Sequence, residues 1–390
     1  MGQHLKIGIV GAGLGGMTAA IALQQRGFSV AIYEQAADLG EIGAGITVGP
    51  NAAKVLSALG LEDEMAALAD ATPHSGILDH KTGERLNYTV RGAEGFIKEY
   101  GAVSRLVHRA DLHNVLERAF KPEGDALRLN HELSGIAQDN DRVTLEFSNG
   151  QTDHCDVVIA CDGLKSIVRD TLFPTEPPEF TGFVAWRGLV ERSQVPNVSL
   201  DPHFCAYTAE DKMFARYPVR HGSLINYIAN ARKPGFDTES WKATADISEI
   251  LGEFDDWHDD VVSIMRATPN GKCARWALHS RKPLKSWITG RIALLGDAAH
   301  PMTPFHGMGA GMAMEDAAIL ARCFEASGAN NWKDALQRYE QARMGRANKY
   351  HVASLKRGMT YMSADPADRA QKPSAGMEKE AAYDAISVPI

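Results

Sequence analysis

The chain has 390 residues, enough for more than one hydrophobic core. Its 41 basic and 49 acidic side chains leave a net charge of -8, the wrong sign for a nucleic-acid partner, and no Lys/Arg run offsets it. Five cysteines without a CxxC pair argue against a zinc site or a disulfide framework and suit a reducing, cytoplasmic setting, so no metal is expected. The apolar stretch from Ile7 to Leu23 carries five glycines and runs into Gln24-Gln25-Arg26, whereas a membrane span needs ~20 mainly apolar residues, so no membrane partner is expected.

In chain order, Lys6 to Val10 reads as a buried strand, followed by a glycine cluster and a helix from about Leu14 to Arg26 that stops at Gly27. Ser29 to Tyr33 is a second strand, which makes a βαβ unit. Short alternating runs fill Leu127 to Ala160, with Asn149-Gly150 as a hairpin signal and Asp156 to Ala160 as a buried strand. Strand patterns recur at Phe183 to Val190, Met213 to Val219 and Leu224 to Asn230, a separate and antiparallel-looking sheet. Arg291 to Leu295 returns to a buried strand. Helix patterns follow from about Gly311 to Ala326 and through Trp332 to Arg357, and an irregular tail begins after Ala364.

The first motif is Gly11-Ala12-Gly13-Leu14-Gly15-Gly16, set between strand and helix. Gly11 permits the tight turn, Gly13 lets the backbone approach a pyrophosphate, and Gly16 allows close helix–strand packing. The helix N-terminus favours phosphate. Glu34 ends the second strand, where a carboxylate can bind ribose hydroxyls. This combination signals dinucleotide binding without distinguishing FAD from NAD.

Two further segments each follow a buried strand: Asp162-Gly163-Leu164-Lys165-Ser166 with Arg169, and Gly296-Asp297-Ala298-Ala299-His300-Pro301. With all three motifs in this order, residues 5 to 350 resemble the flavin aromatic hydroxylases, the group of p-hydroxybenzoate, salicylate, 3-hydroxybenzoate and 6-hydroxynicotinate hydroxylases. The resemblance implies an α/β fold: a Rossmann-like FAD-binding domain of the p-hydroxybenzoate hydroxylase type, interrupted by an antiparallel-sheet substrate domain, with C-terminal helices. On that basis residues 1–72, 101–178 and 276–355 form the FAD-binding domain. Residues 73–100 and 179–275 form the sheet domain, and 356–390 a C-terminal tail.

The resemblance also assigns roles. Asp297 would hydrogen-bond the ribityl chain of FAD, and Asp162 and Arg169 would lie near the pyrophosphate and serve NAD(P)H use. In the loop Pro304-Phe305-His306-Gly307-Met308-Gly309-Ala310-Gly311, the backbone around Pro304, Gly307, Gly309 and Ala310 would contact the flavin ring. Glu315 and Asp316 match the family pattern and would serve the first turns of the helix. Arg109, in Val107-His108-Arg109-Ala110-Asp111, would reach the FAD.

Alternation in the sheet domain puts Met213, Ala215 and Tyr217 on one face and Phe214 and Arg216 on the other. Tyr217 matches a pocket tyrosine of relatives. Where hydroxybenzoate and hydroxynicotinate relatives have histidines near the substrate, this chain has Met213, Phe305 and Thr47. His306 is then the best protein base, and Arg187 and Arg216 are the basic groups open to a substrate carboxylate.

The expected reaction is monooxygenation of a hydroxylated aromatic or hydroxypyridine acid. NADH or NADPH reduces FAD, O2 forms a flavin C4a-hydroperoxide, and one oxygen passes to the ring. A reductase, halogenase or oxidase on the same fold is the alternative reading. A monomer or homodimer fits equally.

Overall fold

The computed structural model describes residues 5–40, 44–121, 126–236, 244–371 and 381–390. The first sheet has six strands in the order Ile288–Thr289, Ile292–Leu294, Val157–Ala160, Lys6–Val10, Ser29–Tyr33 and Leu127–Arg128. All neighbours pair in parallel except the edge strand Ile288–Thr289. Their near-continuous Val/Ile/Ala runs follow from this, since helices and the second, three-stranded sheet cover them. Lys6–Val10 lies at the centre, so the glycine loop opens from the C-terminal end of the middle strand, where α/β sheets bind their ligands.

Helix Leu14–Gln24 packs on helix Gly309–Ser327. A Cβ on Gly15 would come within 3.0 Å of Ala313, so small residues let the two helices approach. The helix expected from Gly311 starts at Gly309. The patterns after Trp332 form one 30-residue helix, Trp332–Tyr361.

The second large sheet has eight strands. Their order is Thr244–Asp246, Lys272–Ser280, Glu179–Glu191, Leu224–Arg232, Lys212–Val219, Phe204–Ala209, His74–Asp79 and Arg85–Val90. Only the pair Phe204–Ala209 and His74–Asp79 runs parallel. Its two faces differ. The outer face carries Trp186, Tyr207, Phe214 and Tyr227 and is covered by helices Ile247–Phe254 and Asp259–Arg266. The inner face carries Ala185, Ala206, Met213 and Ala215 and packs with Phe305 and with Met362, just past the 30-residue helix.

A two-stranded ribbon, Gly45–Val48 with Arg105–His108, lies against the inner face: Gly45 touches Tyr217 and Asn226. Much of what reads as an irregular tail is built into the structure. Helix Pro366–Arg369 lies beside strand Phe204–Ala209, and Ala385 is completely buried in the main core. Residues 372–380 of that tail lie outside the described residues.

Candidate active site

The glycine loop shows why each glycine is there. Gly11 has φ +97°, and a Cβ on it would strike the carbonyl of Cys161. A Cβ on Gly16 would collide with the carbonyl of Gly11, so the helix could not sit this close to the strand end. A Cβ on Gly13 meets nothing within 4 Å, so that side of the loop is open to a ligand. Glu34 accepts hydrogen bonds from the backbone N–H groups of Ala12 (2.8 Å) and Ala36 (2.9 Å), and each oxygen keeps a lone pair.

The Asp162–Gly163 and Gly296–Asp297 loops are tied together by Arg169. Its buried guanidinium donates to the carbonyls of Leu164 (2.8 Å), Ala298 (3.2 Å) and Asp297 (3.4 Å). Arg169 is thus spent on the protein and does not face a coenzyme. Asp162 Oδ2 accepts from Val168 N, while its buried Oδ1 has no partner among the described residues, and burial raises its pKa. Asp297 is exposed, yet it sits deep enough that burial raises its carboxyl pKa against the pull of His300, Arg109 and Arg169. An exposed carboxylate enclosed by protein lines a cleft. Its Oδ1 lies 3.8 Å from where a Cβ of Gly309 would stand, at the start of helix Gly309–Ser327.

That helix and Leu14–Gln24 both begin without a side-chain cap or an acidic residue in the first turn. Helices at Ser166, Asp246 and Asp365 do carry caps. Two uncapped N-termini in one cleft leave N–H donors and positive dipole ends for an anionic ligand. An open glycine loop, an orphan Asp162 oxygen, a cleft carboxylate at Asp297 and these donors fit a flavin dinucleotide.

Behind this cleft lies a buried ion network that sequence patterns reveal only in part. Arg343 pairs with Glu315 and Asp316 at 2.7 Å each. Glu315 also accepts from Arg346 and Asn51. Asp316 accepts from His300 (2.6 Å) and from Gly296 N (3.1 Å). Burial alone would raise the Asp316 pKa, but His300 and Arg343 hold it at about 2. Asp316 therefore anchors the Gly296–Asp297 turn from behind and Glu315 ties in Asn51, both from the second turn of helix Gly309–Ser327 rather than its first, and both fully buried.

On the sheet side, Tyr217 is buried, and its hydroxyl lies 3.5 Å from a guanidinium nitrogen of Arg187. Arg187 also donates to the Gly45 carbonyl and to Asn226 Oδ1, and it pairs with no carboxylate among the described residues. Burial raises the Tyr217 pKa, with Arg187 opposing, so at neutral pH the hydroxyl is protonated and can donate. The Gly45–Val48 strand links this pair to the flavin loop: a Cβ on Gly307, which has φ +61°, would come within 3.3 Å of Thr47 Oγ1.

Two sequence expectations fail here. Arg216 projects from the outer face with Phe214 and donates to the carbonyls of Pro202 and His203, away from any substrate. The His306 ring turns to the long helix, 6.1 Å from Tyr350, and burial plus the charge of Arg357 push its pKa down to about 4. So weak a base does not deprotonate a phenol effectively.

Fold and cleft together define a flavin-type dinucleotide-binding protein with a roofing sheet domain. A family model described as an FAD binding domain matches residues 4–353. A 6-hydroxynicotinate 3-monooxygenase of Bordetella bronchiseptica is 35% identical over 352 residues, covering 90% of this chain and 90% of the relative. A salicylate hydroxylase of Pseudomonas putida is 31% identical, covering 93% and 87%. Klebsiella pneumoniae HpxO, solved with FAD and uric acid, matches with a TM-score of 0.83 at 26% identity, over 98% of this chain and 94% of that one. The chain belongs to the FAD-dependent aromatic hydroxylases.

Proposed function

We propose that this protein hydroxylates a ring of the hydroxybenzoate or hydroxypyridine class, bearing a carboxylate, with NADH or NADPH as reductant and O2 as oxidant. The observation that carries this reading is Arg187. A half-buried guanidinium without a carboxylate partner among the described residues stands beside the Tyr217 hydroxyl, next to the strand that leads to Gly307. That arrangement suits an anionic oxygen on a flat ring, a carboxylate or an ionised hydroxyl, through charge-assisted hydrogen bonds.

Bound FAD would supply the redox chemistry that activates oxygen. The chain's own residues bind, orient and exclude water. Gly11, Gly13, Gly16 and Glu34 would hold the adenosine diphosphate part, and Asp162, Arg109 and Asp297 the middle of the cofactor. The backbone from Pro304 through Gly307 and Gly309 to Ala310 would meet the ring, with the N–H groups of the uncapped helix offered to negative charge on it. Phe305, Met213, Phe183 and Met362 keep the inner face apolar. Tyr217 donates to the substrate's anionic oxygen, and Arg187 offsets its charge.

The test is to titrate aromatic and pyridine acids against the oxidised, FAD-loaded protein. Arg187→Gln should weaken binding of the preferred acid by about 10- to 150-fold, the equivalent of ~1.5–3 kcal/mol for a hydrogen bond to a charged group. FAD content should stay unchanged. If affinity is unaffected, the substrate does not sit at Arg187.

A further inference from the structure

Met213 is flanked on the inner face by residues whose polar atoms are left over. By register, Met213 lies opposite Asn230 on one side and Thr208 on the other, and Asn230 lies opposite Ala185. Asn230 is 1% exposed, and its Oδ1 has no partner among the described residues. Around it the same face is apolar: Phe183, Ala185, Met213, Leu278, Phe305 and Met362 form one cluster. A buried amide oxygen that goes unmet is destabilising, so the site makes sense if something supplies the missing bond.

Position says what could. Asn230 is level with Met213, four residues along the sheet from Tyr217, which is about 13 Å at ~3.3 Å per residue. That is a backbone spacing, and with the side chains reaching inward from both ends it suits a single six-membered ring that carries polar groups at opposite corners. Between the two ends the inner face carries Ala206, Ala215 and Ile228, and the two alanines form its shallowest part. One end is cationic at Arg187, and the other is uncharged. A carboxylate therefore belongs at Arg187, because burying a second charge beside Asn230 would have no compensation.

An asparagine amide presents one donor and one acceptor side by side, and its complement is another cis amide. A hydroxypyridine in its lactam form offers that edge: the ring N–H to Asn230 Oδ1, and the ring C=O to Asn230 Nδ2. The geometry points to Asn230 as the residue that selects a pyridone carboxylate over the isosteric hydroxybenzoate, an inference that rests on the Arg187 reading above.

The probes are 6-hydroxynicotinate and 4-hydroxybenzoate, which share shape and carboxylate and differ at the lactam edge. Each is titrated into the oxidised, FAD-loaded protein and followed by quenching of flavin fluorescence. Wild type should bind 6-hydroxynicotinate at least tenfold more tightly. Asn230→Leu should erase that preference, because 6-hydroxynicotinate loses two hydrogen bonds there and 4-hydroxybenzoate one, so the first should weaken at least tenfold more than the second, with FAD content and melting temperature checked alongside. If the leucine variant does not fold, Asn230→Ala, which only shortens the side chain, carries the same expectation.

Equal binding of the two probes by wild type overturns the inference. So does a preference that survives in the variant, the result expected if a trapped water satisfies the amide. Arg187→Gln weakening both probes alike while the preference is absent would leave the hydroxylase reading standing and this inference refuted. Binding of neither probe by wild type would overturn the inference.

Discussion

Replacing Arg343 by leucine leaves Glu315 and Asp316 without the cation they share. All three are fully buried, and each carboxylate lies 2.7 Å from the guanidinium. Breaking a buried pair costs about 3–5 kcal/mol. Glu315 keeps Arg346 and Asn51, and Asp316 keeps His300 and Gly296 N, so the lower end applies. About 3 kcal/mol should lower the melting temperature by several degrees, at roughly 2 °C per kcal/mol for a chain of this size or less.

The loss should depend on pH. The folded pKa of Asp316 is depressed to about 2. Its stabilising contribution is therefore complete above the unfolded value of ~3.9 and is lost as pH falls through the folded one. In the variant one of the two depressing partners is gone while His300 stays, so Asp316 protonates more readily than in the wild type, and its protonation relieves part of the unpaired charge. The gap between wild type and variant should then shrink as pH falls from about 7 towards ~4. Melting followed by the fluorescence of released FAD reads both stability and the anchoring of the Gly296–Asp297 turn. A gap below about 1 kcal/mol, or one that stays constant across this pH range, would refute the reasoning.

Other substitutions separate folding from binding. Gly16→Ala should prevent flavin loading and destabilise the domain, because its Cβ meets the Gly11 carbonyl. Gly13→Ala, whose Cβ meets no protein atom, should leave the apoprotein's melting temperature unchanged while lowering FAD affinity at least tenfold. Asp297→Ala should weaken FAD by about 10- to 150-fold, for the loss of a charged acceptor worth ~1.5–3 kcal/mol, as read by equilibrium dialysis. His306→Asn should change the pH profile of turnover by little, since a group with a pKa of about 4 does not titrate near neutrality. A rate loss of roughly 100-fold or more would restore it as the base.

Features carried by contiguous residues were legible in the sequence. The glycine loop, its flanking strand and helix, and the two later aspartate loops announce themselves within about ten residues each, because turn chemistry and periodicity are local. Alternation placed Tyr217 and Arg216 on opposite faces, which the register confirms. It could not say which face meets the flavin domain. The Arg187–Tyr217–Gly45 meeting needs three distant segments, and only tertiary packing brings them together. His306 was misread for the same reason: its neighbours Tyr350 and Arg357 come from the long helix, and no local pattern ties that helix to the loop. The ion network left one trace, Arg343 and Arg346 three residues apart on a helix and so on one face, opposite adjacent acids at Glu315 and Asp316.

The most direct test of the account is oxygen transfer itself. FAD-loaded protein is given NADH or NADPH, a hydroxylated aromatic or pyridine acid, and isotopically labelled dioxygen, and the product is weighed by mass spectrometry. The account predicts that the acid stimulates reductant oxidation and that the product carries a single labelled oxygen on its ring, with both effects sharply reduced in Arg187→Gln. Reductant consumed only to hydrogen peroxide across the panel of acids, or product whose new oxygen comes from water, would contradict it.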